Sequence, residues 1–296
     1  MFTINEIGTE NRNSVFPRMF YFLAKSLSAA CGDGGEGAVR EAVRRYGSGS
    51  GIRLMEAHQE RGRKQNVKSY YCASDIPNDS RIREKILCLN EEVGLKEVYT
   101  CPYADIWRRY GASDIGNWFC EEYEKAKFEA YTAGYGQAHL SSRLTCDKEN
   151  HCRFSMYYRM ANIPSDDVQR CFTDNRHKDA EDEDYENQFF MGSAKQCLML
   201  YHSFYEAAGE RLGYDGICAI ARGLKMLAND VIAVMQMQAK HTLCRCDEEF
   251  AKVNFPLPLQ VTDRVYEEDQ EHKDANSILK KNLLDPVCKA LELMEE

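Results

Sequence analysis

Residues 32 to 37 read Gly32-Asp33-Gly34-Gly35-Glu36-Gly37, and apolar residues recur at helical spacing on both sides, from Phe16 to Leu27 and from Gly37 to Gly47. Glycines between two amphipathic segments let a chain fold back on itself, so the spacing predicts a helical hairpin. The second segment places Ala38, Val39, Ala42, Val43 and Tyr46 along one stripe and closes with Arg44, Arg45 and Gly47, as helix C-termini prefer. The glycine run also matches the G-x-G-x-x-G spelling of a dinucleotide loop. That loop follows a strand in a βαβ unit, whereas here a helix precedes it, and a plain connection is expected.

Further along, short apolar runs occur at Ile86-Leu87-Cys88-Leu89 and Val98-Tyr99-Thr100-Cys101, and Pro102 stands where a helix can begin. Ala104 to Tyr110 reads as that helix. Ile115 to Tyr131 reads as a longer one, with Ile115, Phe119, Tyr123, Ala126 and Ala130 at spacings of three and four. His139 to Cys146 and His151 to Met160 are rich in Thr, Phe and Tyr and joined by Asp147-Lys148-Glu149-Asn150, a hairpin signature. Asp174 to Gln188 is acidic without apolar rhythm and marks a boundary between expected domains 1–173 and 189–296. Met191 to Arg211 and Gly216 to His241 are apolar and helical. Phe204 to Leu224 faintly echoes Phe20 to Val43, with a register that slips by several residues. The expected fold is α+β and helix-rich: an N-terminal helical hairpin, a small antiparallel sheet and a helical C-terminal layer.

Composition narrows the function. With 38 Lys+Arg against 47 Asp+Glu the net charge is −9, so a nucleic-acid backbone meets repulsion. No stretch reaches the roughly 18 apolar residues of a membrane helix, and Met1 to Arg18 lacks the pattern of a signal peptide, so a cytoplasmic address is expected. The 13 cysteines then read as reduced thiols, either buried or metal-ligating. Walker A, H-E-x-x-H and G-x-S-x-G sequences are absent.

Among the cysteines, Cys120 falls in the first turns of the long helix, where the dipole favours a thiolate unless burial wins. Cys146 and Cys152 bracket the hairpin loop, His151 is adjacent, and Cys101 lies one helix upstream. Thiolates across a short turn joined by one from a helix suit zinc, but buried core cysteines explain the same residues. Cys244 and Cys246 read as buried or free thiols. Glu121, Glu122 and Glu124 either answer the helix dipole or, in the case of Glu124 on the face of Cys120, supply a general base. Arg44 and Arg45 either clamp a substrate carboxylate or cap their helix.

The stretches Arg40-Glu41-Ala42-Val43-Arg44-Arg45-Tyr46-Gly47, Thr100-Cys101-Pro102, Trp118-Phe119-Cys120-Glu121-Glu122-Tyr123-Glu124 and His151-Cys152-Arg153-Phe154 occur in this order. They resemble the L-2-amino-thiazoline-4-carboxylic acid hydrolase family over roughly Phe16 to Met160. The resemblance implies hydrolysis of a C–N or C–S bond in a small cyclic amidine-like acid, thiazoline opening to an N-carbamoyl amino acid being the type case. It implies Cys120, Glu124, Cys101 and His151 in the chemistry and Arg44, Arg45, Tyr46 and Trp118 around the substrate. The family is similar in turn to 4-vinyl reductase-like domains, whose helix cysteine and two hairpin cysteines contribute to a zinc site. That implies Cys120, Cys146 and Cys152 as ligands. The glutamate of that set falls near Arg143, so His151, Cys101 or a carboxylate would complete it. Two mechanisms follow, a Cys120 nucleophile without cofactor or a zinc-bound water. A sensor or carrier that binds a small molecule without turnover is the alternative. A small-molecule substrate and a homo-oligomer are the expected partners, with no nucleic acid and no membrane.

Overall fold

The computed structural model describes residues 4–72, 79–145, 149–172, 192–259 and 271–292. In chain order these form α1 (Ile4–Glu60), α2 (Val67–Cys72), β1 (Arg83–Leu89), β2 (Val93–Thr100), α3 (Pro102–Arg109), α4 (Ser113–Tyr131), β3 (Gln137–Ser142) and β4 (Cys152–Tyr157). Then follow α5 (Ser165–Cys171), α6 (Ser193–Thr242), α7 (Glu248–Asn254), α8 (Lys273–Leu279) and α9 (Asp285–Glu292). Helices predominate and the four strands make one antiparallel sheet, the α+β class expected. Among the described residues no helix is long and apolar enough to cross a membrane.

Two compact units result, Met1–Ala42 with Ser193–Glu296, and Val43–Gly192. Residues Met1–Ala42, which the sequence places with 43–173, cluster with the C-terminal helices because the apolar stripe of α1 packs on α6. Phe20 meets Phe204 edge to face at 6.0 Å, and Ser26 donates to the Ala219 carbonyl at 2.7 Å. The acidic stretch 174–188 lies outside the described residues.

In the first unit α1 folds back at Gly32, whose φ of 52° and ψ of −131° suit glycine alone. Gly35 then lets the returning arm approach so closely that a Cβ there would lie 2.3 Å from the Leu27 carbonyl oxygen. The glycine run is therefore the plain connection of a helical hairpin. Gly213 breaks α6 in the same way, with φ 58° and ψ −137°. Tyr201 of α6 donates to the Ala275 carbonyl at 2.6 Å, and His202 hydrogen-bonds Asn276 at 2.8 Å, which fixes α8.

In the second unit the strand order is β1-β2-β4-β3. β3 and β4 pair as the hairpin read from the sequence, although Cys146, Asp147 and Lys148 of its connection lie outside the described residues. Both outer strands are irregular, β1 between Ile86 and Cys88 and β3 between Leu140 and Ser142. Side chains alternate across the sheet. Val98, Cys152, Phe154, Met156 and Leu140 share one face, which packs on α3 and α4, while Glu97, Tyr99 and Arg153 share the other. Helix α4 is seated against α1 through two glycines: a Cβ on Gly47 would lie 2.7 Å from the Tyr123 carbonyl oxygen, and one on Gly51 2.1 Å from that of Lys127. This seat and the sheet together fix the position of α4, which carries the candidate chemistry.

Candidate active site

Cys120 is the eighth residue of α4, which starts at Ser113. The helix dipole acts mainly within the first turn, so the thiolate-favouring placement expected for Cys120 does not hold. Burial pushes its thiol well above the usual range, and Cys152 and Cys101 add to that. A hydrogen bond with Thr145 and the charge of Arg143 act the other way.

Glu124 lies one turn further on the same face. Both residues line a cavity of about 180 Å³, together with Glu121, Lys125 and Arg143 and with Leu140 and Phe154 from the sheet. Tyr70 donates to Glu124 Oε1 at 2.8 Å, which fixes the carboxylate. Arg143 ion-pairs with Glu121, which also accepts from Asn117 at 3.0 Å. The cavity thus brings together a thiol, a carboxylate one helical turn away and two cations. Lys125 and Arg143 are the functional candidates that the sequence reading missed. Arg143 stands out there only as a residue unable to ligate zinc, although the same charge can hold an anion. Lys125 gives no signal, being one more cation on a charged helix.

Cys152 is buried, accepts from the Leu144 amide at 3.2 Å and packs with Val98 and Ala104. Cys101 packs against the same cluster, and burial raises its thiol too. Cys101 and Cys152 thus share an apolar cluster near enough to Cys120 to raise its thiol, and neither lines the cavity. Among the described residues no group of three or more His, Cys, Asp or Glu side chains could hold a metal ion, and Cys146 lies outside them. The described side chains do not fit a zinc site.

His151 is not at this cavity. It lies with Arg153 on the opposite sheet face, because Cys152 between them points inward. There its Nε2 stands 3.7 Å from Glu97, while Nδ1 meets Asn150 at 2.7 Å. Glu97 accepts from Tyr99 at 2.5 Å and from Arg153, and these bonds hold its carboxyl below the usual range. A larger cleft of about 430 Å³ opens beside Tyr99, Asp105 and Arg108. Its lining has no cysteine, and its Arg108 is paired with Asp105 at 2.9 Å. The smaller cavity is the better candidate on chemistry.

The expected substrate clamp also lies elsewhere. Arg44 pairs with Glu122 at 3.0 Å, and Tyr46 is buried and stacks on Tyr123 at 5.4 Å. Arg45 and Trp118 are half-buried, and none of the four lines either cleft. Arg44 and Tyr46 secure α1 to α4 and so act on the cavity only through the helix that carries it.

A family model described as L-2-amino-thiazoline-4-carboxylic acid hydrolase matches residues 12–160. The chain belongs to this family. The matched span runs from α1 to just past β4 and contains every residue of the cavity, while α6 to α9 follow it. No curated protein and no solved structure matches the chain. The family is named for a hydrolase of a small ring acid, so a small-molecule substrate suits it.

Proposed function

We propose that the protein hydrolyses a small cyclic amidine-like or thiazoline carboxylic acid, with Cys120 as nucleophile and Glu124 as proton carrier. The observation behind this reading is that the two side chains line one cavity with Lys125 and Arg143. A volume of about 180 Å³ lies below the roughly 300 Å³ at which pockets for drug-sized ligands begin, which suits a single-ring acid. The cations would hold the substrate carboxylate. A thiol raised by burial is a poor nucleophile by itself and needs a base at the moment of attack. Glu124 is the carboxylate one helical turn away. Cys120 Sγ adds to the amidine carbon as its proton passes to Glu124. The ring C–S bond then breaks, and its sulfur takes that proton. Water attacks the resulting isothiourea on Cys120, restores the thiol and releases an N-carbamoyl amino acid.

The test is turnover of a panel of cyclic ureas, amidines and thiazolines. Cys120→Ser is expected to abolish turnover and Glu124→Gln to reduce it by about 10²-fold or more. Intact-mass analysis of the native protein during turnover is expected to show a covalent adduct on Cys120. Full activity of Cys120→Ser would remove the nucleophile from the scheme.

A further inference from the structure

We infer that α6 is a second copy of the kinked first helix and that the two copies pair within one chain about a two-fold axis through their kinks. The kinks come first. Gly32 and Gly213 share one backbone conformation, φ 52° with ψ −131° and φ 58° with ψ −137°, at a separation of 181 residues. Three residues after each kink stands another glycine whose absent side chain admits a carbonyl from the incoming arm. A Cβ on Gly35 would lie 2.3 Å from the Leu27 oxygen, and one on Gly216 2.5 Å from the Ala208 oxygen. These partners are again 181 residues apart.

The burial pattern repeats at the same offset. Residues 31 to 40 and 212 to 221 follow one sequence of buried, half-buried and exposed positions without a mismatch. Met19, Phe20, Leu23 and Leu27 correspond to Leu200, Tyr201, Phe204 and Ala208, each of them fully buried. Phe20 thus matches Tyr201. The register that slips when Phe20 is set against Phe204 is constant once the kinks are superposed.

Contacts between the copies run in the sense that a dyad gives. In a two-fold interface, if residue i meets j, then j meets i. Phe22 lies ten residues before its kink and its carbonyl faces Gly223, ten after the other; a Cβ on Gly223 would come within 2.8 Å of it. Ser26 lies six before and donates to Ala219, six after. Beyond the kink the roles reverse: Gly34, two after, meets Leu212, one before. Each arm of one copy therefore packs on the opposite arm of the other.

The copies differ where α4 is seated. The counterparts of Gly47 and Gly51 are Ala228 and Ile232, and side chains at these positions would fill the space that α4 takes against α1. The second copy keeps the pairing surface and lacks the seat for a helix like α4. One chain thus supplies both halves of a dimer-like core, with one candidate site.

Disulfide trapping in the full-length protein tests this. Ser26→Cys with Ala219→Cys samples the contact described, and Ala38→Cys with Ala207→Cys samples its mirror image at the offset of 181. With oxidised glutathione accepting the two electrons and two protons, both pairs are expected to close within one chain, read by peptide mapping. Closure of the first pair alone would overturn the dyad, bonds between chains would overturn pairing within the chain, and closure of neither would overturn the packing. If a double variant does not fold, Gly35→Ala and Gly216→Ala replace it. Equivalent kinks predict similar drops in the unfolding midpoint, and a drop confined to one would overturn the repeat.

Discussion

His58 of α1 is expected to make the protein acid-sensitive in a defined window. Its ring is fully buried, its Nδ1 lies 2.7 Å from the Tyr131 hydroxyl, and its pKa is lowered from 6.5 to about 4. Burial is the main cause, followed by the charges of Arg63 and Arg61. Between those values the unfolded chain holds the proton and the folded chain does not, so acidification favours unfolding. The contribution is fully present above about pH 6.5 and is lost as the pH falls toward 4. For that shift the linkage relation gives a loss of about 2 kcal/mol at pH 5 and about 3 kcal/mol at pH 4. The assay is urea unfolding at pH 7, 6, 5 and 4, for the native protein and for His58→Phe. The variant is expected to start less stable at pH 7 and to lose less on acidification, by about the amounts given. Equal losses in both proteins would refute a buried neutral imidazole at this position.

Gly51→Val puts side-chain atoms where the Lys127 carbonyl lies and is expected to cost about 1–3 kcal/mol in urea unfolding, the usual range for overpacking, and to lower turnover by displacing α4. Arg143→Ala is expected to raise KM about tenfold, as for loss of a carboxylate anchor; an unchanged KM in steady-state assays would argue against that role. If elemental analysis finds zinc in the native protein, Cys146→Ser is expected to lower its content, and an unchanged content would exclude Cys146 as an essential ligand.

Much of the fold was legible locally. The hairpin at Gly32 follows from glycines between two helical stripes, and the β3–β4 pairing from extended residues around a polar loop. The order β1-β2-β4-β3 was not legible, since it rests on long-range pairing such as Val98 beside Cys152. At the candidate site, Cys120 and Glu124 share a face at a spacing of four, so their meeting was readable. His151 was assigned to the chemistry through the matched stretch that sets it beside Cys152, yet strand alternation sends it to the other face. Arg44 and Tyr46 looked free to bind substrate because the sequence does not reveal Glu122 and Tyr123 as their partners. Lys125 and Arg143 could be picked out only once a cavity existed for them to line.

The irregular outer strands have a consequence for solubility. A sheet margin offers unpaired amides and carbonyls to which a stray extended segment can attach, and growth of that kind needs an unbroken ladder. Here the ladder is interrupted on both flanks, and β1 opens with the alternating charges of Arg83, Glu84 and Lys85. Because Ile86 and Leu87 are exposed beside those charges, straightening the β1 bulge would turn a harmless margin into a nucleus for aggregates.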